Sequence, residues 1–119
     1  MLIKNIQELE KVVNSELTSK ILESTISFDE LMIDVSSSNL IDIIQFLKID
    51  ETCKFRQLID IAGADFPTEE KRFKLIYLLL SHENNLRIKI STSVEMGKKI
   101  KSLTKIFPSA NWMEREVFD

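Results

Sequence analysis

Residues 73–90 of this 119-residue chain read FKLIYLLLSHENNLRIKI. Apolar side chains recur there at every second position: Phe73, Leu75, Tyr77 and Leu79, then Leu86, Ile88 and Ile90. An alternation with period two is typical of β-strands, and the polar residues at 82–85 are typical of a turn. The stretch therefore predicts two antiparallel strands. Arg87 and Lys89 give the second strand one apolar face and one basic, solvated face.

A third strand is predicted immediately upstream. Leu58, Ile59 and Ile61 lead to Gly63, and a turn or bulge is expected around residues 67–70. Short turns between neighbouring strands favour antiparallel pairing. The second half of the chain therefore predicts a three-stranded antiparallel meander.

The first half predicts a helix, a hairpin and a second helix. Apolar residues recur at three- and four-residue spacing at Leu2, Ile6, Leu9, Val13 and Leu17, which indicates an amphipathic helix. Residues 21–28 and 31–35 alternate on either side of a turn at Asp29 and Glu30. Helix-capping residues at 36–39 then precede an apolar helical stripe ending near Asp50: Leu40, Ile43, Ile44 and Leu47.

A short C-terminal helix is predicted after Pro108, which cannot continue a preceding helix. Ser109 or Asn111 is expected to cap it, and Asn111 has the capping-box spacing to Glu114. On this helix Met113 and Val117 stack four residues apart, with Trp112 beside them. Three charges, Glu114, Arg115 and Glu116, fan around the rest of the helix.

These elements predict one α+β domain over residues 1–119. We expect two layers, in which an antiparallel sheet built from the hairpin and the meander packs against two helices, with the short C-terminal helix following. Leu75, Tyr77 and Leu79 are expected to contact the apolar stripe of the first helix, at Ile6, Leu9 and Val13.

Composition limits the classes of function. The net charge of −3 gives no general reason to expect nucleic acid, although residues 1–52 sum to −6 and residues 53–119 to +3. One cysteine cannot form an intramolecular disulfide, and no Cys/His spacing fits zinc or an iron–sulfur cluster. No apolar run is long enough to cross a bilayer, and no targeting signal is recognisable. We expect a protein that stays in a reducing compartment where it is made.

Catalytic interpretations of single residues are weak. Asp60 and Asp65 lie five residues apart around Gly63, but Asp65 is better interpreted as part of a strand-ending turn. His82 is expected to be a solvated loop residue. Cys53 lies near Lys54 and Arg56, which could lower a thiol pKa, yet without a partner base we expect an inert thiol.

The basic residues are concentrated late in the chain: Lys98, Lys99, Lys101 and Lys105, with Arg87 and Lys89. Phe107 and Trp112 follow these basic residues. The chain therefore has an alternative interpretation as a small nucleic-acid-binding module, in which the cations contact phosphates and the aromatic rings stack on bases. Because the segment is short and the chain is acidic, a solvated or partner-facing surface is favoured.

Residues 107–119 read FPSANWMEREVFD. This stretch resembles the Glu-Arg-Glu signature of the subunit designated C in the proton-pumping NADH:quinone oxidoreductase, respiratory complex I. Further resemblance lies in Leu58-x-Asp60, Asp65-Phe66-Pro67, Arg72-Phe73, Tyr77-x-Leu79-Leu80-Ser81 and Leu86-Arg87-Ile88-Lys89. It covers residues 55–119 well and residues 1–54 only by element order. The family motif continues to a His-Pro-x-x-Arg-Arg segment that this sequence lacks, so we expect an N-terminal part of a longer protein.

The resemblance implies a non-catalytic subunit of the peripheral arm of an oxidoreductase and translocase. Such a subunit binds no cofactor, cluster or metal of its own. It packs against the neighbouring subunit designated D, the quinone-site subunit, which helps to form the quinone cavity. The resemblance also implies a place on the cytoplasmic side of the bacterial inner membrane, with membrane contact only through the complex and no nucleic acid.

The residues expected to contact other subunits all lie on the C-terminal helix or directly after it. This predicted subunit interface comprises Trp112, Glu114, Arg115, Glu116, Phe118 and Asp119. An enzyme with its own active site is the third alternative, after the structural subunit and the nucleic-acid-binding module.

Overall fold

The structure is a computed structural model that describes residues 3, 5–28, 30–65, 73–94 and 102–118. Its elements follow one another as α1 (Ile6–Glu16), β1 (Ile21–Ser27), β2 (Glu30–Val35), α2 (Leu40–Ile49), β3 (Gln57–Asp65), β4 (Phe73–Ser81), β5 (Leu86–Val94) and α3 (Ala110–Phe118). This order of helix, hairpin, helix, meander and short helix confirms the prediction. Leu2 and the turn predicted at 67–70 lie outside the described residues.

All five strands form one sheet in the order β1-β2-β5-β4-β3. The hairpin and the meander are antiparallel, as predicted. The α+β class is confirmed, but the expectation of a wholly antiparallel sheet is corrected, because β2 pairs in parallel with β5, from Leu31 opposite Ile88 to Val35 opposite Thr92. The connectivity explains this pairing. The connection through α2 leaves β3 running in the same direction as β2, and a meander of three strands then returns β5 in that direction.

One face of the sheet, the inner face, forms the core with the helices. It carries the alternate residues of the strands, among them Leu31, Ile33, Leu75, Tyr77, Leu79, Ile88 and Ile90. The stripes of α1 (Ile6, Leu9, Val13) and α2 (Leu40, Ile43, Ile44, Leu47) are buried in the same cluster. Both long helices therefore cover the inner face. The residues at the alternate strand positions point the opposite way and form the outer face of the sheet.

Side-chain oxygens cap the ends of the helices in different ways. The Asn5 side chain caps α1 by accepting from the Glu8 amide at 2.9 Å. Asn39 precedes α2 as expected but makes no capping hydrogen bond; its amide donates instead to Ser36 Oγ at 3.4 Å. After α2, the Asp50 carboxylate accepts from the Thr52 and Cys53 amides, both at 3.1 Å.

Two element ends differ from the predicted positions. Leu17 is the C-cap of α1 rather than its last helical residue. Glu30 belongs to β2, and Phe28, with φ of 50°, lies in the hairpin turn instead. Of the helices in the described part of the chain, none has the length and apolar content needed to cross a membrane.

Candidate functional site: the C-terminal helix

Helix α3 begins at Ala110, two residues after Pro108, close to the predicted start. The amides of Ala110 and Asn111 donate to the carbonyls of Phe107 and Pro108, at 2.9 and 3.2 Å. Asn111 is thus inside the helix and is not its N-cap. The predicted capping box of Asn111 with Glu114 is therefore wrong, and Glu114 has other partners.

Glu114 points into the protein rather than into solvent. Its residue exposure is only 7%. Oε1 accepts a hydrogen bond from Ser102 Oγ at 2.6 Å, and Oε2 accepts one from the Leu103 amide at 2.8 Å. Hydrogen bonds to an ionised acceptor are shorter and stronger than neutral ones. The carboxylate therefore fastens α3 to the segment that precedes it.

The buried carboxylate also acts on the central strand β4. The Tyr77 side chain is fully buried, and its hydroxyl has no hydrogen-bond partner among the residues that the structure describes. Burial, and secondarily the negative charge of Glu114, raise the pKa of Tyr77 above its usual range. Glu114 therefore lies within electrostatic reach of the inner face of the sheet.

A second attachment joins the same segment to α2. Leu103, Phe107 and Ala110 belong to the buried core cluster. The Lys48 ammonium donates to the Ile106 carbonyl and lies 5.1 Å from the centroid of the Phe107 ring, which is a cation–π distance. The segment that precedes α3 is therefore attached to α2 at Ile106 and Phe107.

The outward side of α3 carries Trp112 and Arg115. Trp112 is 70% exposed, and the Arg115 guanidinium carbon lies 5.9 Å from the centroid of its ring. Met113 packs against the core, so the predicted apolar seam includes Met113 but not Trp112. The side chains of Glu116, Val117 and Phe118 and all of Asp119 lie outside the described residues. Of the predicted interface residues that are described, Trp112 and Arg115 are accessible to a partner, whereas Glu114 is held by its own chain.

The other candidate residues, Cys53, His82 and Asp60, each contact groups of their own chain. Burial first, and then the charge and hydrogen bond of Asp50, raise the pKa of the Cys53 thiol to about 12, which fits the inert interpretation. His82 is exposed, and its Nε2 lies 2.5 Å from Gln57 Oε1. The Asp60 carboxylate accepts from the Ile61 amide at 2.9 Å, while the side chain of Asp65 is not described.

The predicted basic concentration is only partly described. Lys98, Lys99 and Lys101 lie outside the described residues. Lys105 and Arg87 are exposed, and Lys89 forms an ion pair with Glu30 at 3.1 Å. Among the residues whose positions are given, no three His, Cys, Asp or Glu side chains gather in a way that could hold a metal ion.

Sequence reasoning missed two residues that organise the site and its surroundings. Lys48 had no local signal, because its partners lie 58 and 59 positions away in the chain. Asn84 donates to the carbonyls of Thr52 and Cys53 at 2.8 and 2.9 Å and accepts from the Ile3 amide at 3.0 Å. A single side chain thus joins the β4–β5 turn to two other segments.

Known proteins resemble this chain over most of its length. The family described as the respiratory-chain NADH dehydrogenase 30 Kd subunit matches residues 33–119. The NADH-quinone oxidoreductase subunit designated C of Ruegeria pomeroyi is 44% identical over 99 residues, covering 83% of this chain and 50% of that protein. The subunit of the same name from a Chelativorans species is 36% identical over 114 residues, covering 96% and 57%. The chain thus spans about half the length of these relatives.

A solved structure shares the fold. It is that of the membrane-bound sulfane sulfur reductase, an archaeal respiratory membrane complex. A chain of that complex superimposes with a TM-score of 0.75 at 21% identity, covering 92% of this chain and 65% of its own length. At that identity the similarity supports the fold alone.

Proposed function

Because this chain belongs to the family of the 30 kDa subunit of respiratory-chain NADH dehydrogenase, we propose that it is a non-catalytic structural subunit of a proton-translocating NADH:quinone oxidoreductase. Its place would be in the peripheral arm, beside the quinone-site subunit, on the cytoplasmic side of the membrane and joined to the membrane only through the complex. The proposed role is to support assembly of the arm.

The two-sided arrangement of α3 carries this proposal. On its inner side, Glu114 accepts hydrogen bonds from Ser102 and Leu103, and this fixes the direction of the helix. On its outer side, Trp112 and Arg115 form an exposed aromatic and cationic pair. Trp and Arg are enriched among the residues that contribute most to protein–protein binding. A rigidly held helix that presents such a pair suits a permanent contact with another subunit.

The non-catalytic part of the proposal is supported by the surroundings of the titratable groups. The thiol of Cys53 is kept protonated by burial. Asp60 hydrogen-bonds within its own strand, and Lys89 is paired with Glu30. These groups lack the nucleophile–base geometry that catalysis requires. We also propose that the subunit binds no redox cofactor of its own.

Replacing Arg115 tests the proposed interface in the full-length protein. Arg115→Ala should weaken assembly with the quinone-site subunit, because a planar guanidinium offers hydrogen bonds and stacking that alanine cannot replace. The melting temperature of the free protein should shift by less than about 2 °C, because exposed substitutions usually change the unfolding free energy by about 0.5 kcal/mol or less. Co-purification and thermal denaturation measure the two effects separately.

Arg56→Ala is the matched control, because Arg56 is also an exposed arginine and its partner is Glu83 of the same chain, at 2.8 Å. It should leave both assembly and melting temperature nearly unchanged. If Arg115→Ala unfolds the free protein, Arg115 has a structural role. If Arg115→Ala and Arg56→Ala assemble equally well, the interface is not at α3.

A further inference from the structure

The outer face of the sheet, opposite the helices, carries an apolar row on β4. The row consists of Ile76, Leu78 and Leu80, which alternate with the buried residues of the inner face. All three are half-buried, and none belongs to the core cluster or packs against it. The apolar stripes of α1 and α2 lie on the inner face, so neither helix covers the row.

Free cations bracket the apolar row. Lys74 lies at its start on the same strand, and Arg87 lies opposite Leu80 at its end. Neither has an ion pair or a side-chain hydrogen bond within the described part of the chain, whereas Lys89, between them, is neutralised by Glu30 at 3.1 Å. An unpaired cation beside partly buried apolar surface favours an anionic partner group.

The end of the row at Leu80 opens into a cleft of about 330 Å³. Its walls include Phe28, His82 and Arg87. Phe28 is 99% exposed, and its φ of 50° is unfavourable for a bulky side chain. Phe28 therefore presents an exposed aromatic ring at the mouth of the cleft that Leu80 of the row also lines.

We propose that the outer face binds an amphipathic, acidic helix of a partner subunit. Its apolar stripe lies along Ile76, Leu78 and Leu80, and an acidic side chain near each end binds Lys74 and Arg87. The seven residues from Lys74 to Leu80 span about 20 Å of extended chain, which equals the rise of about 13 helical residues. This surface lies on the opposite side of the sheet from Trp112 and Arg115, so it adds a second partner site to the one proposed at α3.

The chemistry of the face favours this occupant over others. Nucleic acid would need a continuous basic strip, but Asp34 and Asp60 also lie on the outer face, opposite Ser91 and Leu78 in register. A second copy of the chain does not supply the helix from α1 or α2, because the apolar stripes of both are already buried in the core. A helix whose acidic side chains lie only near its two ends fits the apolar row and both free cations, and it keeps those acids away from Asp60 beside Leu78.

Two synthetic helical peptides test the charge preference on the free full-length protein. They share one apolar stripe and differ only in carrying glutamates or lysines at both ends. Fluorescence anisotropy should show binding of the acidic peptide and loss of binding for the basic one. Lys74→Glu and Arg87→Glu should each weaken the acidic peptide at least about tenfold, because like charges then meet. The matched control Lys11→Glu, on the solvent side of α1 and therefore across the sheet from this face, should leave its affinity unchanged.

Labelling in the assembled complex tests the natural occupant. In Leu78→Cys, a maleimide should react with the free protein and lose that reaction on assembly, while the buried Cys53 stays silent in both. A photoreactive maleimide at the same position should attach to an acid-bearing helix of another subunit. Equal binding of both peptides, unchanged affinity in Arg87→Glu, equal labelling before and after assembly, or attachment to lipid would each overturn the proposal. Failure of the full-length protein to join any complex would instead count against the proposed function. The peptide experiment would still decide whether the outer face binds an acidic helix.

Discussion

The Glu114 carboxylate accepts hydrogen bonds from donors eleven and twelve positions earlier in the chain. In Glu114→Gln, the side-chain amide nitrogen replaces one acceptor and faces a donor, so one of Ser102 Oγ and the Leu103 amide loses its partner. We expect the unfolding free energy to fall by about 1–3 kcal/mol, the usual effect of a buried unsatisfied group. Chemical denaturation measures it. The control Glu83→Gln breaks only an exposed ion pair with Arg56, which should change stability by less than about 1 kcal/mol. Equal effects of the two substitutions would contradict the buried role of Glu114.

The Cys53 thiol makes stability depend on alkaline pH. Its pKa rises from 9.0 to about 12 on folding. Above pH 9 the unfolded chain loses this proton while the folded chain keeps it, so the unfolding free energy falls as pH rises; below pH 9 both states keep it. The slope should approach about 1.4 kcal/mol per pH unit. Between pH 9 and 10 the ionisation of Tyr77, whose ordinary pKa is 10.0, adds a slope of the same sign, so the Cys53→Ala variant identifies the share of the thiol. Cys53→Ala should flatten the slope there, and an unchanged slope would refute this explanation.

At the scale of elements, α1 is held by its apolar stripe. Leu9 is fully buried in the core beneath the helix, so Leu9→Ala should lower the unfolding free energy by about 2–5 kcal/mol. Leu22→Ala is the matched control, because Leu22 on β1 is 69% exposed and should cost little. Denaturant titration compares the two variants. A change below about 0.5 kcal/mol in Leu9→Ala would mean that α1 is peripheral to the fold.

Sequence periodicity predicted the helices and strands because the side of each element that faces the core is set by apolar residues a few positions apart. The alternation at Leu75, Tyr77 and Leu79 and the helical spacing at Ile6, Leu9 and Val13 record which side faces the core. The parallel pairing of β2 with β5 left no such trace, because a buried strand has the same pattern whichever direction its neighbour runs. The parallel direction of β5 relative to β2 is explained instead by the three strands of the meander, which bring β5 back to the direction of β3 and β2.

The candidate site was predicted less completely than the fold. The start of α3 after Pro108 follows from the local chemistry of proline, and it was predicted closely. The spacing of Asn111 and Glu114 also fits a local capping box, but the Glu114 carboxylate instead accepts hydrogen bonds from Ser102 and Leu103. Partners of Lys48 and Asn84 lie dozens of positions away, so periodicity contains no signal for them.

At the scale of the whole molecule, the proposed structural role predicts an absence of bound chromophores. A purified protein of residues 1–119 should contain no stoichiometric metal and show no visible absorption band, because its single cysteine and single histidine cannot supply the ligands of a cluster or zinc site. Elemental analysis and a visible spectrum measure this. The intact complex, prepared in parallel, provides the positive control. A stoichiometric metal in the isolated subunit would refute the proposal that it binds none.

The parallel pairing of β2 with β5 has a consequence for the folding kinetics. It joins strands whose paired residues, such as Asp34 and Ser91, are 57 positions apart, whereas the hairpin and the meander each form from near neighbours. Closure of so long a loop is slow, because chain entropy is lost before the contacts form. The hairpin and the meander can each form early, but the sheet is complete only when β5 meets β2. Backbone amides at this junction should therefore exchange with deuterium only when the entire domain unfolds.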